Sequence, residues 1–269
     1  MKPRKHPRLL RYIQQLQGGR PWGTFLDAGT GVQSLRWVAD LGTERWTAVS
    51  ASPAHAKRVR NAIKETQRSD DKVVLGNWVD PNLLKGAQYD TVLADYLLGA
   101  IEGFAPYYQP YLFKRLRPLT RKMLYVKGLE PYVPTMCPQD TAGLILWEIG
   151  RFRDACVLHG NDLPYREYPV GWVVDNLHMN GFEVLKVKHF DIRYKELFVN
   201  AQIDGCAPIL EKLADRSLAK VLKARGEALR AIALDVIESE GRCAQAAITS
   251  SPPSPFEPLA DSINYPSGI

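Results

Sequence analysis

The residues best suited to chemistry lie in the segment Asp27-Ala-Gly-Thr-Gly31, which follows an apolar run and precedes a helical pattern. Glycine has no Cβ, so the backbone at Gly29 and Gly31 can approach a ligand closely. The first turn of the following helix offers unpaired N–H groups and the positive end of the helix dipole. The segment therefore predicts a ligand-binding turn, although the spacing alone is also typical of a tight turn without a ligand.

The elements around this turn alternate between strand and helix patterns. Short apolar runs predict five strands, with helical stretches between them, at residues 24–26, 46–49, 72–75, 91–94 and 123–126. Parallel neighbours require crossover connections, so this alternation predicts an α/β fold with a mostly parallel sheet between two layers of helices. Ser52-Pro53 has the residue types of a helix start, a hydroxyl at the N-cap followed by proline.

The alternation changes in the last third of the chain. The pattern predicts a helix over 170–179 and two strands over 183–190 and 196–203. Only five residues separate these strands, too few for a crossover, so we expect an antiparallel hairpin. From 208 to 240, apolar residues recur at helical spacing along one face, which is typical of core packing or of a homodimer contact.

The chain divides into four predicted segments. Residues 249–269 contain five prolines and five serines and are too polar to form a core alone. The segments are a basic N-terminal arm with a short helix (1–19), an α/β domain (20–206), a helical extension (207–242) and a disordered Pro/Ser-rich tail (243–269).

The net charge of +6 and the pI of 9.1 arise mainly at the N-terminus. Five of the first eleven residues are basic and none is acidic, so the remaining 258 residues carry a net charge of only +1. We therefore expect no nucleic-acid surface on the body of the protein. The four cysteines form no CxxC pair, and no apolar run approaches about 18 residues, so we expect a cytoplasmic protein without disulfides or membrane contact.

Several segments in order resemble one known family. They are Phe25-Leu-Asp-Ala-Gly-Thr-Gly31, Ala48-Val-Ser-Ala-Ser-Pro53, Leu75-Gly-Asn-Trp78, Tyr89-Asp-Thr-Val-Leu-Ala-Asp95 and His178-Met-Asn-Gly-Phe-Glu-Val184. Their order and spacing are similar to those of a class I S-adenosylmethionine-dependent methyltransferase over roughly residues 20–204. The resemblance implies a Rossmann-like three-layer sandwich with a seven-stranded sheet whose last strand is antiparallel. It also implies transfer of a methyl group from S-adenosyl-L-methionine to an acceptor.

The resemblance also implies which residues bind the cofactor. The turn would surround its methionine and ribose parts, the end of the second strand its ribose, and the segment after the third strand its adenine. The implied set is Asp27, Gly29, Thr30, Gly31, Ser50, Ala51, Asn77, Trp78 and Asp95. Ser50 departs from the family, which usually has an acid there that accepts hydrogen bonds from both ribose hydroxyls. A serine lacks that charge and that bidentate geometry.

Methyl transfer requires mainly proximity and alignment, and a base only where the acceptor must lose a proton. The candidate proton-accepting or orienting groups are Asp95, Tyr96 and His159. The implied acceptor pocket is lined by tyrosines of the connecting segments, namely Tyr107, Tyr108, Tyr111, Tyr165 and Tyr168. Aromatic walls with few charges favour a small, partly apolar or cationic acceptor.

Three other functions compete with a small-molecule methyltransferase. The basic arm would suit an RNA, DNA or protein methyltransferase, although Asp95-Tyr-Leu-Leu98 lacks the two prolines of the motif for amino-group methylation in nucleic acids. A nicotinamide-dependent oxidoreductase needs an acid, or an arginine for a phosphate, near the end of the second strand. A non-catalytic binding protein is the third alternative. The histidines show no metal-binding spacing, so we predict no metal.

Overall fold

The computed structural model describes residues 6–133, 138–240 and 243–251, and one seven-stranded sheet runs through them. The strands are β1 (Thr24–Asp27), β2 (Arg45–Ser50), β3 (Lys72–Leu75), β4 (Tyr89–Asp95), β5 (Thr120–Leu129), β6 (Lys186–Tyr194) and β7 (Cys243–Ser251). Their order across the sheet is β3-β2-β1-β4-β5-β7-β6. The first five pair in parallel, and β7 is antiparallel to both β5 and β6.

Helices cover both faces of the sheet, as the sequence predicts for an α/β fold. They are α1 (Arg8–Gln17), α2 (Val32–Ala39), α3 (Pro53–Ile63), α4 (Leu97–Ala100), α5 (Gln109–Leu116), α6 (Thr141–His159), α7 (Val170–Met179), α8 (Glu196–Lys212) and α9 (Arg216–Glu240). The predicted start of α3 is confirmed, because Ser52 Oγ accepts the N–H of His55 at 3.2 Å with Pro53 at the first helical position.

Neighbouring residues of the central strands point into different cores, because side chains alternate across a sheet. In β4, Val92 packs in one apolar cluster and Leu93 in the other. In β5, Leu124 and Tyr125 divide in the same way. The first cluster includes residues of α4, α5 and α7, and the second includes residues of α1, α2 and α3. The strands are therefore buried on both faces, which is typical of parallel sheets.

The predicted hairpin after residue 183 is wrong. Residues 196–203 belong to α8, and four buried residues of that helix, Val199, Ile203, Cys206 and Leu210, recur at intervals of three and four. This is a helical period, which eight residues were too few to distinguish from a strand pattern. The antiparallel strand next to β6 is β7, from residues that we assigned to the tail. The rest of that predicted tail, 252–269, lies outside the described residues.

The C-terminal helices form a third apolar cluster among themselves. Phe152 of α6, Ile203 of α8 and Leu229 and Ala233 of α9 are all buried there. The helical extension therefore begins at 196 rather than 207, and its helices are separated at residues 213–215. The apolar face of α9 that suggested a homodimer thus has a partner within the chain.

Helix α1 attaches part of the basic N-terminus to the domain. Its side chains Leu10 and Ile13 are buried in the second cluster. The guanidinium of Arg8 lies 5.0 Å from the ring centroid of Phe190 in β6. Residues 1–5 of the predicted arm lie outside the described residues. Among the described helices, none combines the length and apolar character that a membrane span requires.

The position of β7 leads to a truncation test. A chain that ends at Glu240 lacks the strand between β5 and β6, so β6 loses its hydrogen-bonded neighbour. We expect this truncation to lower the melting temperature by several degrees or to prevent folding. A chain that ends at Ser251 keeps every described strand and serves as the control. Equal melting temperatures for the two truncated chains would contradict the sheet order.

Candidate functional site

A cavity of about 660 Å³ opens at the carboxyl ends of the parallel strands. This is where ligands bind in open α/β sheets, because the loops on either side of a change in strand order separate there. The wall is formed by the turn after β1, the end of β2, the segment after β3 and the ends of β4 and β5. Its residues include Gly29, Thr30, Gly31, Ser50, Ala51, Asn77, Trp78, Asp95, Tyr96 and Lys127.

A chain of hydrogen bonds shapes the glycine turn. Asp27 accepts the hydroxyl of Ser34 at 2.9 Å between oxygens, and Ser34 Oγ accepts the N–H of Gly31 at 2.8 Å. Asp27 is fully buried and lies behind the cavity wall rather than in it. It therefore holds the turn through Ser34, and direct contact between Asp27 and a ligand stays a prediction.

Gly29 is required by close packing. A Cβ at this position would lie 2.8 Å from Cβ of Leu97, the first residue of α4, which is closer than side-chain carbons approach each other. The turn after β1 and the segment after β4 are therefore packed tightly together. Both segments line the cavity, so their separation sets its width.

Asp27 has an unusual proton affinity for a carboxyl group. Burial, and secondly repulsion by Asp95, raise the pKa of Asp27 from 3.8 to about 7. Hydrogen bonds from the hydroxyls of Thr30 and Ser34 oppose this shift without cancelling it. The buried carboxyl group of Asp27 therefore fixes two side chains of the turn.

A buried ion pair joins the ends of β4 and β5. Lys127 Nζ contacts Asp95 Oδ1, and both side chains are nearly inaccessible to solvent. The ammonium also lies 4.3 Å from the ring centroid of Tyr96. Burial raises the pKa of Asp95, while Lys127 opposes that shift. The pair thus places a neutralised carboxylate in the cavity wall.

Tyr96 has a strained backbone at this point. Its φ of 53° is in the left-handed region, which residues other than glycine rarely adopt, and its N–H donates to the carbonyl of Lys127 at 2.7 Å. Burial raises the pKa of its phenol, so the phenol is protonated at neutral pH. Strain of this kind is concentrated at functional sites, where the surrounding structure maintains it.

Glu167 is a partly buried carboxyl group close to these residues. A Cβ on Gly99 would lie 2.3 to 2.6 Å from its carboxylate oxygens, so the carboxylate rests directly on the backbone of α4. Burial raises the pKa of Glu167 to about 7. Glu167 is outside the cavity wall, and the sequence pattern around it gave no signal of its burial.

The end of β2 brings polar and basic groups to the cavity. Ser50 and Ser52 line it, and Arg36, His55 and Arg58 line it as well. Arg58 Nη2 lies 3.2 Å from Nδ1 of His55. Ser50 was predicted from its motif. The three basic residues were not predicted, because their place in the wall depends on how α2 and α3 pack.

Asn77 and Trp78 line the cavity as predicted residues of the segment after β3. Asn77 Nδ2 donates to the carbonyl of Phe104 at 2.6 Å. The indole N–H of Trp78 donates to the carbonyl of Ala28 at 2.8 Å, and only 3% of this side chain is exposed. Trp78 therefore supports the turn after β1 and presents little ring surface to the cavity.

Of the five tyrosines predicted to bind a substrate, Tyr165 alone lines this cavity. Tyr107 and Tyr111 are exposed on the surface, with 81% and 58% of their area accessible. Tyr108 packs against the first apolar cluster, and Tyr168 stacks on a tryptophan of α7 with ring centroids 4.1 Å apart. These four lie outside the cavity, and residue type alone does not specify on which side of a loop a ring lies. Their contact with a substrate stays a prediction.

His159, predicted as a proton-accepting or orienting group, lies away from the cavity. It is the exposed last residue of α6 and does not line the cavity. Lys127 was not predicted either; its signal was a charged side chain directly after the apolar run 123–126. In the described part of the chain, no three histidine, cysteine, aspartate or glutamate side chains cluster as metal ligands.

Comparison with solved structures identifies the fold. A protein from Bacillus halodurans C-125, provisionally described as a methyltransferase, aligns over 92% of this chain and 99% of its own, with a TM-score of 0.59 and 13% identity. The [4+2]-cyclase SpnF aligns over 93% and 82%, with a TM-score of 0.56 and 16% identity. The mycolic acid cyclopropane synthase CmaA1, solved with SAH and CTAB, aligns over 91% and 82%, with a TM-score of 0.54 and 14% identity.

These similarities define the class of protein by fold. The chain has the Rossmann-like fold of class I S-adenosylmethionine-dependent methyltransferases, as the sequence motifs predict. The sequence itself matches no protein-family model and has no significant match among curated proteins. At 13 to 16% identity the structural similarity establishes the fold, and the activity has to be argued from the cavity.

The ion pair at the cavity is testable by a double-mutant cycle. Lys127→Met leaves Asp95 buried without its cation, and we expect a loss of about 3 kcal/mol in the free energy of unfolding in urea. Lys127→Met combined with Asp95→Asn removes both charges and should recover much of this loss. Strictly additive effects of the two substitutions would contradict a direct coupling between the side chains.

The buried Asp27 predicts how stability depends on pH. Because its pKa is raised to about 7 in the folded state, the folded chain retains a proton that the unfolded chain releases above about pH 4. Stability should therefore fall as the pH rises from about 4 to about 7, and Asp27 should contribute no further change above that range. The raised pKa of Glu167 changes stability with pH in the same direction.

The measurement is urea unfolding at about pH 5 and about pH 8 for the wild type and for Asp27→Asn. The variant should show a smaller loss of stability between these two values. Asp175→Asn, at an exposed position of α7, is the matched control and should retain the wild-type difference. An unchanged difference in Asp27→Asn would show that Asp27 is ionised in the folded state.

Proposed function

We propose that the protein is a methyltransferase that transfers a methyl group from S-adenosyl-L-methionine to a small-molecule acceptor. The observation that carries this proposal is the cavity at the carboxyl ends of β1, β2, β4 and β5, with the glycine turn, Asn77 and the Asp95–Lys127 pair in its wall. Its volume of about 660 Å³ is within the range of about 300 to 1,000 Å³ of small-molecule sites.

The residues of the wall fit this cofactor at two of three positions. At the turn, Gly29 lets the backbone lie close against α4, and a Cβ at Gly29 would push the turn and α4 apart. At the end of the cavity after β3, Asn77 offers an amide to a base, although its Nδ2 already binds the carbonyl of Phe104. The third position, Ser50, lacks the carboxylate that would bind both ribose hydroxyls.

The acceptor would lie beside Asp95 and Tyr96, against a largely apolar wall. This wall is contributed by the segments after β4 and before α7, and its residues are Leu97, Ala100, Ile101, Phe104 and Tyr165. Apolar and aromatic surface of this kind favours a small acceptor with substantial apolar area over an extended polymer. A small-molecule acceptor is consistent with the near-neutral body of the protein.

The chain's own groups can align an acceptor and accept its proton. When bound, S-adenosyl-L-methionine would supply a methyl group on a sulfonium, to which the nucleophile of the acceptor bonds as the methyl–sulfur bond breaks and S-adenosylhomocysteine leaves. Asp95 is the carboxyl group in the wall; burial raises its pKa, and the contact with Lys127 opposes that shift. Tyr96 is protonated at neutral pH, so it can donate a hydrogen bond to an acceptor oxygen or nitrogen. We assign Asp95 to orienting or deprotonating the acceptor and Tyr96 to orienting it.

Binding of the cofactor and methyl transfer have to be measured separately. One structural neighbour is described as a [4+2]-cyclase, so the fold occurs with a reaction other than methyl transfer. A non-catalytic binding protein would bind the cofactor without turnover. The apolar wall beside Asp95 and Tyr96 does not favour nucleic acid or protein as the acceptor, and those alternatives stay predictions from the basic arm.

The binding test uses S-adenosylhomocysteine in titration calorimetry. Gly29→Ala should weaken its binding by about 10- to 100-fold, because relief of the contact with Leu97 moves the turn or α4 at a cost of about 1 to 3 kcal/mol. Gly42→Ala is the matched control, since a Cβ there meets no atom within 4 Å. Failure of S-adenosylhomocysteine to bind the wild type at millimolar concentration would overturn the proposed function.

A further inference from the structure

We propose that the end of the cavity next to β2 is a phosphate site, and that it binds adenine nucleotides that carry a phosphate on the 2′ or 3′ position of the ribose. The residues that carry this inference are Ser50, Arg36 and Arg58, with His55 beside them. It goes beyond the proposed function, because S-adenosyl-L-methionine has no phosphate.

Two arginines from different helices converge on this end of the cavity. Arg36 lies in α2 and Arg58 in α3, and both line the same space as Ser50. Among the described residues, neither guanidinium forms an ion pair with a carboxylate. The hydrogen bond found for Arg36 is a long one of 3.5 Å to the carbonyl of Ala62. Each guanidinium has five N–H donors, so both retain donors for an anion.

His55 orients one of these guanidinium groups. Its Nδ1 lies 3.2 Å from Nη2 of Arg58, and since arginine can only donate, Nδ1 is the acceptor. Burial and the adjacent Arg58 lower the pKa of His55, so the ring is neutral at neutral pH and able to accept this bond. A hydrogen bond with the backbone of Thr30 opposes part of this shift. The guanidinium is thus held at the cavity wall.

The charge balance of the wall favours an anion. Asp95 is the carboxylate among the lining residues, and Lys127 already neutralises it. Arg36 and Arg58 then leave an excess of positive charge. S-adenosyl-L-methionine carries a net positive charge, from its sulfonium, ammonium and carboxylate groups, and its carboxylate is the one anionic group that could pair with an arginine. A phosphate gains charge-assisted hydrogen bonds from arginine, which binds it in a planar, bidentate geometry.

Ser50 makes the site compatible with a phosphate. An acid at the end of the second strand binds free ribose hydroxyls and repels a phosphate on the same ribose, whereas a nearby arginine accommodates that phosphate. Ser50 is neutral, and its Oγ lies 3.3 Å from both the N–H and the carbonyl oxygen of Ser52. The missing acid and the two arginines are independent features of the sequence that favour the same ligand.

Calorimetry with four nucleotides tests the inference. The probes are adenosine 2′,5′-bisphosphate, adenosine 3′,5′-bisphosphate, adenosine 5′-diphosphate and S-adenosylhomocysteine. The 5′-diphosphate has as many phosphates as the bisphosphates but none on the 2′ or 3′ position, so it controls for the number of phosphate groups. We expect one bisphosphate to bind at least about 10-fold more tightly than the 5′-diphosphate. The preferred isomer identifies the ribose position.

Variants locate the phosphate. Arg58→Gln and Ser50→Asp should each weaken binding of the preferred bisphosphate by about 10-fold or more, with a smaller effect on the 5′-diphosphate. Lys57→Gln is the matched control, because Lys57 is an exposed cation of the same helix outside the cavity wall. Equal affinity for all three phosphorylated nucleotides, or an equal loss in Lys57→Gln, would overturn the phosphate site.

The same titrations separate this inference from the proposed function. Binding of S-adenosylhomocysteine without a preference for a bisphosphate supports the methyltransferase and overturns the phosphate site. Binding of a bisphosphate without binding of S-adenosylhomocysteine supports the phosphate site and overturns the proposed methyltransferase. If both bind and compete with each other, they share the cavity, and Ser50→Asp should shift selectivity towards S-adenosylhomocysteine.

Discussion

The contact between Asp95 and Lys127 is the interaction on which the cavity depends. It connects the ends of β4 and β5 at the place where Tyr96 takes a left-handed backbone conformation and α4 begins. Helix α4 in turn packs on Gly29, so the ion pair, α4 and the glycine turn form one continuous support. The lysine also offsets the cost of placing a second carboxylate near the buried Asp27. Removal of either charge would leave the other buried without compensation.

The sequence predicted the N-terminal half of the fold well, because its signals there are local. The glycine turn, the N-cap at Ser52 and the five parallel strands each depend on residues adjacent in sequence. Residues 196–203 failed because a short apolar segment fits both a strand and a helix, and only the packing of α8 against α6 and α9 distinguishes them. Strand β7 was not predicted, because its pairing with β5 joins residues more than a hundred positions apart.

The candidate site shows the same division between local and distant information. Motif positions such as Thr30, Ser50 and Asn77 were predicted and line the cavity. Arg36 and Arg58 were missed because their arrival at the wall depends on how two helices pack. Composition alone assigned the net positive charge to the N-terminus. The cations that matter for the cavity belong to the nearly neutral body, where an average over composition conceals them.

The location of β7 in the sheet also constrains the order in which the protein can be made. Strands β1 to β5 pair with one another and are complete once residue 129 has been synthesised. Strand β6 follows, but its neighbour in the sheet is β7, and β7 ends at residue 251. During synthesis β6 therefore lacks its neighbouring strand β7 until α8 and α9 have been made. A chain emerging from the ribosome thus has an open sheet edge at β5 until its last described residues arrive, which is the period when it is most exposed to aggregation or to chaperones.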